Sequence, residues 1–474
     1  MIGHLVLWLD DRLGAASFLR KAMRKAFPDH WAFMLGEVAL YSYLALLGSG
    51  IYLTFFYTAS GDHIVYHGTY RPLDGVPMSE AYASILRISF DVPAGLLIRQ
   101  FHHWAALVFA AAISVHLLRI FFTGAFRRPR EINWLIGVTL LLLAMAIGFT
   151  GYSLPDDLLS GTGLRIAYSI LLSIPVVGTW SAFLLFGGVY PGADILRRFL
   201  ILHIFLLQAL IAALIGVHLF LIWHQKHTQF RGPGRTERNV VGSPLWPNYT
   251  MKSIGLALVI FSVLALLGGL AQINPVWLYG PYEAWQASSP AQPDWYLGWA
   301  EGALRLWPAW EIRLFGRLVA NPFFPSVLFP VVFFLVLYLW PWIERWITGD
   351  ARPHHLLDRA RDCPWRSAVG AWAVAFGIAL TLAGSNDVIA NLLGVPVEIV
   401  TVYFRVMLGI APILAAVLTY FVCHGLQERD RQPERRRIRA IVRVNARGGY
   451  EEETLPTPDS PAPEPGGGES GTGS

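Results

Sequence analysis

Eight long apolar runs are spaced along the chain, over about residues 31–57, 99–122, 133–152, 199–223, 253–272, 324–343, 367–384 and 402–423. Each is close to the ~20 residues a helix needs to cross a hydrocarbon core about 30 Å thick. None shows the two-residue alternation of a membrane barrel strand. Backbone polar groups in lipid must find partners within the protein, so runs of this kind predict helices. The expected fold class is an all-α polytopic membrane protein with eight transmembrane helices, the first four forming a four-helix bundle.

The polar stretches set the boundaries. Residues 1–30 predict a surface segment with Arg20, Lys21, Arg24 and Lys25 near the membrane. Residues 31–228 predict the bundle, and 229–425 the four remaining spans. Residues 426–474 are charged and then rich in Pro, Glu, Gly and Ser, which predicts a disordered tail. Between the third and fourth runs, Gly and Pro break the pattern into short helices expected at the membrane surface. Arg and Lys crowd the loops after the second, fourth and sixth runs, while the loop after the first is net acidic. By the positive-inside rule both termini are expected in the cytoplasm, in a cell membrane.

Composition narrows the class further. The chain is 54% hydrophobic and 15% charged, with mean hydropathy +0.46, which excludes an ordinary soluble enzyme. Its 18 Trp suit interfacial belts. The net charge of +5 makes no case for nucleic acid, because the basic residues flank the spans. The two cysteines, Cys363 and Cys423, provide neither a C-x-x-C-H haem attachment nor an iron–sulfur ligand set. The basic, amphipathic N-terminus has no clear signal-peptide cleavage site.

The candidate chemistry lies in the second and fourth runs. His102 and His116 are fourteen residues apart, and His203 and His218 fifteen. Such spacing is about four helical turns, or roughly 21 Å, and keeps the imidazoles near one face. Two adjacent helices would then present one His pair near each membrane edge. Facing imidazoles suit a six-coordinate haem iron with no open site, hence electron transfer. Ionisable groups inside a span are costly and point to function. His103, thirteen residues from His116, is expected to face away. Gly36 and Gly50, and Gly137 and Gly151, repeat the fourteen-residue spacing on the first and third runs. Their missing side chains would clear room for two flat groups.

Taken together these motifs resemble the cytochrome b subunit of the quinol:cytochrome c oxidoreductase (cytochrome bc) complex. The resemblance spans about residues 30–425. It rests on the four histidines and four glycines, Arg99 before His102, and Arg198 before His203. Gly151-Tyr-Ser-Leu-Pro155, Ser173-Ile-Pro-Val-Val-Gly178 and Pro293-Asp-Trp-Tyr296 complete it. Leu154-Pro-Asp-Asp157, the Asp of Pro-Asp-Trp-Tyr and the polar tail are most similar to the actinobacterial branch. That branch is taken to use menaquinol and to associate with a dihaem cytochrome c and a terminal oxidase.

The resemblance implies two non-covalent b-type haems and a Q cycle. Menaquinol would be oxidised near the outer face, with electrons passing to a Rieske iron–sulfur partner and across the bundle to a quinone near the inner face. His102 and His203 would ligate the outer, low-potential haem, and His116 and His218 the inner, high-potential one. Arg99 and Arg198 would pair with propionates. Asp294 stands where the family has Glu and would accept a quinol proton. Glu301, seven residues on, is a second acceptor candidate. Tyr296, Gly163 and Pro175 would wall the pocket. At the inner quinone site Lys252 matches a family position, but the acid usually beside it is Ser253 here; His224 and His227 are further proton-delivery candidates. A homodimer is implied too. A secondary transporter explains the spans but not the paired histidines. A bis-His dihaem anchor of another quinone-linked dehydrogenase explains the histidines but not Pro-Asp-Trp-Tyr.

Overall fold

A computed structural model describes residues 2–192, 194–286, 292–314, 316–431, 439–444 and 449–455. Among these residues, eight helices are long and apolar enough to cross a membrane: α1 (Trp31–Thr54), α2 (Gly95–Phe122), α3 (Glu131–Ser153), α4 (Ile195–Gln225), α5 (Leu245–Leu270), α6 (Phe324–Thr348), α7 (Pro364–Ala383) and α8 (Val397–Arg431). All eight expected spans are present. The largest departure is α8, which runs past the apolar stretch to Arg431. Its last turns are held from outside the membrane: Asp430 pairs with Arg359 and Arg361, and Gln427 donates to the Asp362 carbonyl.

The first four spans form the bundle. α1 packs on α2, α2 on α3, and α3 on α4, while α5 lies against α1 and α2. α7 packs on α8 and reaches α2, and α6 leans on α3. Tyr43, Phe109, Ala144 and Ile211, one from each bundle helix, meet in one buried cluster. Each lies seven residues from the Gly or His on either side of it, except that Ile211 is eight from His203. The cluster is therefore an apolar waist between the two candidate haem layers.

Short helices cover the bundle end nearest His102 and His203, which we call outer, with the opposite end inner, after the orientation expected from loop charge. Leu158–Leu172 starts on a reciprocal cap: Asp157 Oδ1 accepts from the Leu159 and Ser160 amides, and Ser160 Oγ accepts from the Asp157 amide. Gly178–Phe186 follows after the expected Ser-Ile-Pro break. Within the loop after α1, where only a turn was expected, Glu80–Phe90 is helical, capped by Ser79 and burying Tyr82, Leu86 and Ile88. At the inner end, buried Arg366 bonds Glu344 of α6 at 2.5 Å and Asp358 at 3.2 Å. Asp358 also pairs with Arg127, so the two halves of the chain are joined by charge.

The tail departs in part from its expected disorder. Strands Arg439–Val444 and Tyr450–Leu455 pair antiparallel, with Arg443 opposite Glu451. The β-branched residues of Ile441-Val-Arg-Val444 and the following Gly-Gly provide the hairpin signal that overall composition concealed. The Pro- and Gly-rich end, 456–474, lies outside the described residues.

Candidate haem and quinol sites

The bundle brings the four histidines together in pairs. The rings of His102 and His203 have centroids 6.4 Å apart, and those of His116 and His218 are also 6.4 Å apart. A metal–imidazole bond of about 2.0–2.1 Å, with about 1.1 Å from nitrogen to ring centre on each side, calls for roughly 6.3 Å. Both pairs therefore stand at the separation that one metal ion between them requires. No cluster of three or more protein ligands exists among the described residues. Two imidazoles per metal fit a macrocycle that supplies the remaining ligands.

The glycines face the histidines directly. A Cβ on Gly50 would lie 3.2 Å from His102 Cε1, and one on Gly36 3.3 Å from His116 Cε1. On α3, a Cβ on Gly151 would come within 2.6 Å of His203 Cε1, while one on Gly137 would stay 4.0 Å from His218 Cε1. Each glycine thus admits an imidazole edge first, a closer fit than the clearance for flat groups expected from spacing.

Hydrogen bonds set the outer tautomers. Ser49 Oγ donates to the Ala45 carbonyl at 2.6 Å, so it can only accept from His102 Nδ1, 2.9 Å away. His203 Nδ1 faces the Ile147 carbonyl at 2.9 Å, which also requires a proton on Nδ1. Both rings are thereby left with Nε2 as the free ligand atom. His116 Nδ1 and His218 Nδ1 are buried without a partner.

Buried guanidinium groups mark where anions would sit. Arg99 has only long contacts, 3.4 Å, to the Asn274 carbonyl, and its Nε has no partner. Arg119, one turn beyond His116, has two buried nitrogens without partners and stacks over Phe33. Sequence reasoning missed it; a basic residue three positions after a candidate ligand was the available signal. Arg198 is placed differently from Arg99: it donates to the Leu184 and Leu185 carbonyls at the end of Gly178–Phe186 and is not on the cavity wall.

A cavity of about 390 Å³ opens beside the outer pair. Its wall includes His102, His203, Gly50, Gly151 and Arg99, and also Asp294, Tyr296, Tyr152 and His103. The outer imidazoles and the Pro-Asp-Trp-Tyr segment therefore share one space. Asp294 accepts from the Tyr296 hydroxyl at 3.0 Å and from His103 Nε2 at 3.0 Å. His103 is turned from the imidazole pairs, as spacing implied, but turned onto this carboxylate. Tyr296 fits because α3 has Gly148 there; a Cβ would lie 2.4 Å from its hydroxyl. Burial and Asp294 push the Tyr296 phenol well above its usual range, so it stays a donor.

The other candidates are spread out. Glu301 bonds Arg305 at 2.9 Å, which also holds Asp387 at 2.8 Å, and it is not on the cavity wall. Gly163 packs on Tyr152, and Pro175 lies in the break between the outer surface helices. Directly after Pro155 of the cavity wall, burial raises the Asp156 carboxyl to about 7. At the inner end Lys252 pairs with Asp29 at 2.5 Å, both half-exposed. His227 is half-buried against Phe27, and desolvation lowers it to about 4, whereas His224 is exposed.

A helical membrane bundle with two layers of facing imidazoles is the architecture of a membrane cytochrome of b type. Residues 107–281 match the family model described as "Cytochrome b(N-terminal)/b6/petB". The chain is 50% identical over 426 residues to the "Cytochrome bc1 complex cytochrome b subunit" of Streptomyces coelicolor, covering 90% of this chain and 78% of that one. It is 52% identical to the Mycobacterium tuberculosis protein of that name, covering 89% and 77%, and 48% to that of Corynebacterium diphtheriae, covering 94% and 83%. Among solved structures, a chain of "Hyperthermophilic respiratory Complex III" shares the fold at a TM-score of 0.67 and 20% identity, covering 89% of this chain and 100% of that one. The chain belongs to the family of cytochrome b subunits of the cytochrome bc1 complex. It is an integral membrane protein of respiratory electron transport, of a family with b-type haem.

Proposed function

We propose that this subunit holds two b-type haems and serves as the quinol-oxidising, electron-carrying core of a proton-translocating quinol–cytochrome-c reductase. The observation that carries the reading is the pair of imidazole layers at equal separation, the outer one sharing its cavity with Asp294. His102 and His203 would hold the outer haem and His116 and His218 the inner one, with Arg99 and Arg119 toward propionates. Bound there, haem would supply one-electron redox chemistry.

The chain's own residues do the rest. Asp294, fixed by two donors, takes a proton from a quinol hydroxyl in the outer cavity. Tyr296 and Tyr152 bound the ring, and Glu301 stands behind as a second acceptor once freed from Arg305. Arg198 holds the surface-helix wall, and Gly163 and Pro175 shape it. One electron leaves to a Rieske iron–sulfur partner and cytochrome c. The other crosses the waist to a quinone near Lys252. Protons are released outside and taken up inside, with both termini cytoplasmic. Menaquinol as substrate, a terminal oxidase in the same assembly and a homodimer belong to this reading through the resemblance of Leu154-Pro-Asp-Asp157 and Asp294 to the actinobacterial branch. A dihaem anchor of another dehydrogenase would leave the Asp294 cavity without a purpose.

The test is a stepwise redox titration of the purified complex, with protohaem extracted and counted. Two haems per chain with separable potentials, both reduced by menaquinol, are expected. One haem, or none under conditions that keep cofactors bound, overturns the reading.

A further inference from the structure

We propose that Glu37 of α1 is the proton-donating carboxylate of the inner quinone site, working through Ser253 and Tyr41. The inference rests on the proposed reduction of quinone near Lys252. Glu37 lies in a membrane span, where an acid is costly and normally functional. It accepts one hydroxyl on each oxygen. Tyr249 donates to Oε1, and Ser253 Oγ donates to Oε2 at 2.5 Å. Because the Ser253 proton is committed to Glu37, the 2.5 Å contact between Tyr41 and Ser253 must use the Tyr41 proton. Three hydroxyl groups from two spans are thus ordered toward one carboxylate.

Position supports a catalytic use over simple packing. Gly36, the preceding residue, faces His116, so Glu37 stands beside the inner imidazole layer. Ser253 is where an acid usually adjoins the lysine in the resembled family, and here the carboxylate bonded to that serine comes from α1. Lys252 and Asp29 form a half-exposed pair next to it, which gives access to water. Other titratable groups in this region include Tyr41, Tyr249, Arg119, His227, Lys25 and His30. Burial keeps His227 neutral, so it has no proton to give.

Reducing one quinone takes two electrons, delivered across the bundle, and two protons. Delivery starts from the protonated carboxyl, with the rotatable hydroxyls turned the other way. The Glu37 proton passes to Ser253 Oγ, the Ser253 proton to Tyr41 Oη and the Tyr41 proton to a quinone oxygen. The order toward Glu37 is the state left afterwards, when the carboxylate only accepts. Lys252 Nζ provides the second. Both groups are reloaded from the inner aqueous phase past Asp29.

The test uses the whole purified complex. After one quinol-driven reduction of the haems, Glu37→Gln should slow onward reduction of menaquinone about a hundredfold. The double variant Glu37→Gln/Ser253→Asp, which returns an acid to α5, should recover most of the rate. The redox-difference infrared spectrum should carry a carboxyl band that shifts in Glu37→Asp. A normal rate in Glu37→Gln, no recovery in the double variant, or no band sensitive to Glu37→Asp overturns the proposal. The infrared comparison decides even where the Gln variant loses haem. If menaquinol fails to reduce the haems of the unaltered complex, the underlying functional reading fails instead.

Discussion

The outer and inner imidazole layers share a separation and differ in almost everything around it. The outer rings are held by Ser49 and the Ile147 carbonyl and open into a cavity with a carboxylate, a phenol and a third imidazole. The inner rings have no partner at Nδ1, and one turn beyond His116 is Arg119, two of whose nitrogens are buried without hydrogen bonds. Orienting bonds to a ligand imidazole raise its basicity and favour the more positive metal state. Under the proposed function the outer layer would then carry the lower potential and the proton-coupled chemistry at its edge. The inner layer would receive the electrons.

Removing the outer acid breaks that contrast most strongly. Asp294→Asn keeps the size of the side chain but cannot take a quinol proton. Quinol oxidation should fall about 10²–10⁴-fold, measured as the rate of haem reduction by menaquinol, with haem content unchanged. His103→Gln should fall less, because Tyr296 still holds the carboxylate. A larger loss in the His103 variant would mean that the imidazole itself carries the proton.

The glycines give the next test. Gly151→Ala puts a methyl group 2.6 Å from His203 Cε1, where something must move. Overpacking of this kind costs about 1–3 kcal/mol, and the outer haem should be lost on mild denaturation before the inner. Gly137→Ala meets only an ordinary 4.0 Å contact with His218 and should change little. Equal sensitivity of the two variants would show that the haem planes, and not the imidazole edges, set the clearance.

Asp156 separates the outer end from the inner by pH. Its native carboxyl titrates near 7 because burial disfavours the charge. The native protein therefore holds a proton there that the unfolded chain gives up near the ordinary value of 3.8. Stability is greatest below the unfolded value and falls as pH rises toward 7. Asp156 also has φ 55, which Asn tolerates well. Asp156→Asn should flatten thermal stability between pH 5 and 8 without a change at the acid end, using about pH 5 and 8 as the limits.

Periodicity made the spans and the imidazole layers legible in sequence, because both follow directly from helical rise. It could not show His103, whose angular position excludes it from the haem faces and says nothing of a carboxylate 191 positions away. Glu37 and Ser253, 216 positions apart, meet only after α1 and α5 pack. Gly148 was hidden for the same reason: its partner, Tyr296, arrives from a loop. Arg198 shows the converse. Its place before His203 suggested the role of Arg99, yet the surface helix Gly178–Phe186 ends beside it and offers carbonyls.

The smallest expected effect sharpens the comparison most. Ser49→Ala removes the 2.9 Å side-chain acceptor at His102 Nδ1, leaving only the Leu46 backbone, and Thr150→Val removes a longer contact, 3.2 Å from His203 Nδ1, that leaves the Ile147 carbonyl in place at 2.9 Å. Ser49→Ala should raise the outer midpoint potential, by about 59 mV for each tenfold of lost preference for the oxidised state. Thr150→Val should move it less, and neither should shift the inner potential, since His116 and His218 have no such partner to lose. A titration resolving both haems reads all of this at once. A matching inner shift in Ser49→Ala would mean that the waist of Tyr43, Phe109, Ala144 and Ile211 couples the layers electrostatically rather than merely keeping them apart.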